Sequence, residues 1–145
     1  MRLVIQRVTR ACVRVSGAKV SEVGQGLLVL VGVGLKEQPD EPDWLASKVF
    51  NLRIFEDAER KMNRSLADVA GEVLVVPQFT LYGDARKGRR PSWAAAAPPE
   101  VAAERVEAFC CALEALGVRV GRGAFQEHME VELVNDGPVT ILLEG

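Results

Sequence analysis

The chain is poor in the residues from which most protein-borne chemistry is assembled. It has one histidine, His128, and three cysteines, Cys12, Cys110 and Cys111, in 145 residues. An odd cysteine count with two of them adjacent gives no disulfide framework and points to a reducing compartment. Neighbouring positions on a helix face about 100° apart, so Cys110 and Cys111 do not make a metal pair. No metal and no cofactor is expected, and the cysteines are read as small apolar groups packing helix against sheet. No run of 18 apolar residues occurs, and no basic-then-apolar leader opens the sequence. Neither a membrane span nor an export signal is therefore read, and the expectation is a cytoplasmic protein. Repeats, linkers and low-complexity tracts are missing as well. A net charge of −2 excludes nucleic-acid binding through the overall field. Only a local basic patch could serve.

What is present is an ordinary folding composition, 48% hydrophobic and 26% charged, at a length that makes one domain spanning 1–145 the default. Met1 to Val33 reads as a β-meander. Val13 and Val15 alternate with Arg14 and Ser16, and turns are expected at Ser16-Gly17-Ala18 and Gly24-Gln25-Gly26. Leu27 to Val33 is nearly continuous in apolar residues and suits a central strand covered on both faces. Asp40-Glu41-Pro42-Asp43 has the acids and early proline of a helix start, with Leu45, Val49 and Leu52 following at helical spacing. Arg53 to Phe55 reads as a short strand, Glu56 to Arg64 as a polar loop, and Val73 to Val76 as a β-branched strand. Pro98-Pro99-Glu100 opens the clearest helix, which runs through Val106, Phe109, Cys110 and Leu113 to a stop at Gly117. Val118 begins a closing β section. The order predicts an α+β domain on a mainly antiparallel sheet or barrel, with two principal helices packed against it.

Three stretches stand out for chemistry. Asn135-Asp136-Gly137-Pro138-Val139-Thr140 lies between two segments that read as strands, Glu127 to Val134 and Val139 to Leu143. A proline there belongs to a turn, an edge or a bulge. Taken alone, the residue types suit first an ordinary hairpin turn; the other reading is a backbone shaped for close approach by another molecule. Pro77-Gln78-Phe79-Thr80-Leu81 follows a strand and holds the best hydroxyl, Thr80. Its only possible histidine partner is His128, whose neighbours Glu127 and Glu130 indicate a solvated position, so a hydrolytic triad is hard to assemble. Arg86-Lys87-Gly88-Arg89-Arg90 puts four cations into five residues. It reads either as a solvated loop or as a set of phosphate contacts.

Together the first two stretches resemble the paired signature motifs of the D-aminoacyl-tRNA (D-tyrosyl-tRNA) deacylase family. The opening Arg2 to Val15, Leu27 to Val33, Asp84 to Ser92 and Met129 fit the same family, so the resemblance spans nearly the whole chain. It implies a homodimeric editing hydrolase that cleaves the ester joining a D-amino acid to the 3′-terminal adenosine of tRNA. Glycine mischarged on the alanine tRNA would be a further substrate. The Gly137-Pro138 peptide would be cis and would reach into the partner's active site as the chirality filter. Gln78, Phe79, Thr80 and Leu81 would line the pocket floor, Arg7 would fix the Gly-Pro conformation, and Met129 would border the site. Arg86, Lys87, Arg89 and Arg90 would hold the 3′ end and acceptor stem. The resemblance further implies attack assisted by the tRNA 2′-hydroxyl, with no catalytic side chain.

That implication agrees with the scarcity of nucleophile–base pairs, because positioning and preorganised amides can lower a barrier by many kcal/mol on their own. A filter for handedness must ignore side-chain identity. A stiff backbone that leaves no volume for an L side chain discriminates by clash, and glycine passes it. Gly137 is expected because any Cβ would intrude on the pocket, and Pro138 because it fixes φ. Two features depart from the family pattern. Pro77 replaces a serine and so removes an N–H and a hydroxyl, as in a related animal branch that edits an L-amino acid, whereas Phe79 and the remaining motif follow the D-specific branch. Gln126-Glu127-His128 is bulkier than the family's small residues. Two other functions are open to the residues alone: a non-catalytic module that binds tRNA ends, and an esterase with Thr80 as nucleophile.

Overall fold

The structure, a computed structural model, describes residues 1–36 and 38–145. One long strand sets the frame. β1 (Arg2–Val15) pairs with β2 (Ala18–Val23) along its second half and with β3 (Gly26–Gly32) along its first, both antiparallel. β3 is buried along almost its entire length, as its apolar run predicts. Its other edge pairs with β6 (Glu72–Pro77), and β6 with β7 (Val120–Arg122), both in parallel. The α+β class is as expected, but the sheet is mixed. The reason is connectivity: α1 (Glu41–Asn51) lies between β3 and β6, and α2 (Pro99–Ala115) between β6 and β7. Crossovers carrying helices are what parallel neighbours require.

Both helices start where proline and acidic residues predict and bury one stripe each, Leu45, Ala46 and Val49 on α1 and Val106, Phe109, Cys110 and Leu113 on α2. These meet Leu3, Ile5, Leu27, Val29, Val73 and Val75 from one face of the sheet in the larger core. A second cluster, with Val13, Val23, Leu28, Leu74 and Val76, fills the opposite face. There β2 curls back to touch β6 and β7, so the sheet nearly closes. Glu41 is buried beneath the sheet's start and is neutralised by the α-ammonium of Met1. Cys12 and Cys110 are buried as expected, but Cys111 is exposed, because its neighbour already occupies the core-facing position on α2. The segment expected to be a loop holds a small hairpin, β4 (Phe55–Glu56) with β5 (Met62–Arg64).

The largest difference from expectation concerns the closing strand. No reversal occurs at Asn135–Pro138: β8 (Glu130–Glu144) is one strand running antiparallel along the free side of β1. Its register passes from Gln6↔Thr140 to Val8↔Asn135, so five residue steps on β8 oppose two on β1. The surplus is a bulge, which a long partner strand accommodates without turning the chain.

Candidate active site

β6 delivers the first motif. Pro77 ends the strand, and Gln78 N–H donates to the Val31 carbonyl at 2.8 Å. The chain then coils into a 3-10 turn, Phe79–Tyr82, which carries Thr80. Arg2 pins this turn to the start of β1, donating to the Leu81 carbonyl at 3.1 Å while its guanidinium lies 4.6 Å from the Tyr82 ring centre. Beside the turn opens a cavity of 690 Å³ floored by Val31 and Val76, with Pro77, Gln78 and Phe79 on one wall and Met129 on another. The segment carrying Met129 is placed by Gly123 N–H, which donates to the Val75 carbonyl at 2.8 Å. Gln126, Glu127 and His128 stand exposed at the cavity's margin.

The cavity therefore joins Gln78, Phe79 and Met129. Thr80 and Leu81 belong to the same turn without lining it. The Thr80 hydroxyl accepts a hydrogen bond from the Gln78 amide, and among the described residues no hydrogen bond joins it to His128. A nucleophile activated by a neighbouring base is not assembled there. Cysteine offers no substitute, since burial pushes the Cys110 thiol up to about 12 and also raises that of Cys12.

The second motif is organised from behind. In the bulge the Gly137–Pro138 peptide is cis, and Gly137 has φ +122°. Arg7, 3% exposed, lies under it. Its Nε donates to the Asp136 carbonyl at 3.0 Å and its Nη1 to the Ile54 carbonyl at 2.6 Å. The Asp136 carboxylate adds an ion pair at 3.2 Å. Asn135 Nδ2 bridges the neck of the bulge, donating to the Arg7 carbonyl at 2.9 Å and to the Val139 carbonyl at 3.0 Å. A Cβ on Gly137 would lie 2.7 Å from Arg7 Nη2 and 2.9 Å from Val139 Cγ2. The clamp within its own chain is thus one reason for glycine at this position. Gly137 and Pro138 are exposed and line no part of the cavity that holds Gln78, Phe79 and Met129.

The basic run forms a loop pinned at its base by paired backbone hydrogen bonds between Asp84 and Ser92, 2.8 and 2.9 Å. The four cations are not equivalent. Arg86 is engaged by both oxygens of Asp84, at 2.8 and 2.7 Å, and this contact holds the Asp84 carboxyl well below the usual carboxylate range. Lys87, Arg89 and Arg90 are exposed and make no ion pair to the described residues. The chain leaves the loop at Trp93, a residue that sequence reasoning passed over. Its ring packs edge-on against Phe79 with centroids 5.4 Å apart and planes at 74°, at the cavity mouth. The signal available in the sequence was a tryptophan following a cationic loop and a proline, although nothing local ties it to Phe79.

A family model described as D-Tyr-tRNA(Tyr) deacylase matches residues 4–144. A D-aminoacyl-tRNA deacylase of Heliobacterium modesticaldum is 55% identical over 145 residues, covering 100% of this chain and 97% of the relative. Enzymes of the same name from Roseiflexus castenholzii and Thermomicrobium roseum are each 58% identical over the full chain, covering 92% and 94% of those relatives. Among solved structures, a c-Myc DNA unwinding element binding protein superposes with a TM-score of 0.93 at 40% identity, covering 100% of this chain and 99% of that one. A probable eukaryotic D-amino acid tRNA deacylase superposes with a TM-score of 0.82 at 20% identity, covering 98% and 97%, which speaks for the fold alone.

Proposed function

The chain belongs to the D-Tyr-tRNA(Tyr) deacylase family, and from that membership we propose how its two motifs divide the work of an editing hydrolase. The reaction is hydrolysis of the ester in D-aminoacyl-tRNA. The Gly137–Pro138 segment is the chirality filter. A main-chain carbonyl of the bulge accepts from the substrate's amino group, and the stiff backbone leaves no room where an L side chain would project. Glycyl-tRNA passes for the same reason. The cavity by Gln78, Phe79 and Met129 takes the terminal adenosine, and the tRNA 2′-hydroxyl assists the attack. Thr80 is not the nucleophile.

One observation carries this reading. The Gly137–Pro138 bulge is clamped from behind by Arg7 and Asn135, yet it is exposed and borders no part of its own chain's cavity. A rigid exposed element of that kind has a use if it completes a neighbour's site. The working form is then a symmetric dimer in which each bulge closes the other protomer's cavity. β8 supports this as well, since among the described residues it pairs only with β1 and it carries Leu142 at 74% exposure. Lys87, Arg89 and Arg90 supply sequence-independent contacts to the acceptor end.

The test is deacylation of matched D- and L-aminoacyl-tRNA, alongside the oligomeric state in solution. Rapid loss of the D-ester, slow loss of the L-ester and a dimeric mass are expected. Equal rates, or loss of the L-ester only, would sink the filter. A monomer with full activity would sink the shared site.

A further inference from the structure

Trp93 sits where the cationic loop meets the cavity, and neither the family motifs nor the proposed filter gives it a role. It is 41% exposed, and Phe79, its partner across the mouth, is 57% exposed. Two large aromatic faces left this open beside a cavity are unusual on energetic grounds, since each forgoes part of its burial energy. The indole is nevertheless held firmly. Gly83 packs directly behind it, where a Cβ would come within 2.4 Å of Cζ3, and the Asp84–Ser92 hydrogen bonds fix the backbone just before it. Trp93 is thus a preset surface that lines the cavity. Lys87, Arg89 and Arg90, three exposed cations with no ion pair to the described residues, lie in the loop that ends at it. Stacking surfaces next to cations that track a backbone are how single-stranded nucleic acid is held.

We infer that Trp93 stacks on the base of the nucleotide preceding the terminal adenosine, while Lys87, Arg89 and Arg90 contact the phosphates that follow the strand outward. The inference rests on the deacylase reading and deepens it: the enzyme grips two or more nucleotides of the single-stranded end. The terminal adenosine occupies the cavity itself, and the next base is the first that must lie at its mouth, on the side where the cations begin. Arg86 takes no part, because Asp84 already holds it.

The experiment compares kcat/KM for three esters of one D-amino acid: on adenosine, on the trinucleotide cytidylyl-cytidylyl-adenosine, and on that trinucleotide with the penultimate base removed and its phosphates kept. The wild-type protein should prefer the intact trinucleotide to the abasic one by about tenfold, mainly through KM. Trp93→Ala should bring that ratio close to one, and Trp93→Phe should restore most of it, since a phenyl ring also stacks. A merely structural role for Trp93 would lower both trinucleotide rates together and leave the ratio untouched. The proposal is overturned if wild type does not distinguish intact from abasic, or if the ratio survives Trp93→Ala. Failure to hydrolyse any of the three esters is a different pattern, and it would remove the deacylase reading along with this one.

Discussion

Replacing Arg7 by lysine separates the clamp from the charge. In the native protein the buried guanidinium serves two backbone carbonyls on different segments, that of Asp136 through Nε at 3.0 Å and that of Ile54 through Nη1 at 2.6 Å. Lysine keeps the charge, but its single ammonium on a flexible stem cannot reproduce the guanidinium's planar fork. At least one buried charge-assisted hydrogen bond is lost, which costs about 1.5–3 kcal/mol. The contact with Glu56, at 3.7 Å to a half-exposed carboxylate, adds little, since such pairs contribute about 0–1 kcal/mol. Arg7→Lys should therefore lower the unfolding midpoint by roughly 5–10 °C at fixed protein concentration. The same loss frees the Asp136 carbonyl and with it the bulge. The ratio of D-ester to L-ester hydrolysis should fall by about tenfold or more, equivalent to about 1.4 kcal/mol of discrimination. The assay pairs thermal unfolding with deacylation of both enantiomers. A variant that loses stability yet keeps its full D/L ratio would refute the idea that stiffness at 137–138 sets selectivity.

Other changes probe separate parts of the account. Gly137→Ala places a Cβ 2.7 Å from Arg7 Nη2 at φ +122°. It should cost about 1–3 kcal/mol in urea unfolding and abolish D-ester hydrolysis, and retention of both would contradict the clamp. Thr80→Ala removes a hydroxyl whose one side-chain partner among the described residues is the Gln78 amide, so kcat should stay within severalfold of wild type. A drop of a thousandfold with the fold intact would restore a protein nucleophile. In the native protein an alkylating reagent should label Cys111 alone, and slowly at neutral pH, because its hydrogen bond to Glu107 raises the thiol above the usual range and the thiolate grows only as pH climbs. Cys12 and Cys110 should label only on unfolding, and native labelling at Cys110, read by mass spectrometry, would overturn its burial. Replacing Lys87, Arg89 and Arg90 together by alanine should weaken tRNA binding and flatten its dependence on salt, with an unchanged slope counting against phosphate contacts.

The helices were legible because proline, acidic first turns and apolar spacing are local signals, and α1 and α2 start and stop close to where those signals fall. Parallel pairing of β3 with β6 was not legible, since it depends on which edge of β3 stays open after β1 has taken the other. The hairpin turn, one of the two readings of Asn135–Pro138, does not form, for a related reason. Turn residues announce that regular pairing is interrupted, and only the partner decides whether the interruption is a reversal or a bulge. β1, 14 residues long, pairs with β8 on both sides of the interruption, so the chain runs straight on.

By itself the sequence determined what the backbone can do at Gly137 and Pro138, how few side chains are able to act as nucleophile or base, and which family the paired motifs resemble. Tertiary structure alone decided which carbonyls Arg7 holds, that of Asp136, 129 positions away, and that of Ile54, that Trp93 faces Phe79, and that Gly137 and Pro138 line no part of the cavity beside Gln78 and Phe79. Conformational freedom and chemical type belong to single residues and their neighbours. Contacts between distant residues follow from how strands align and cores fill, and no local stretch carries that information.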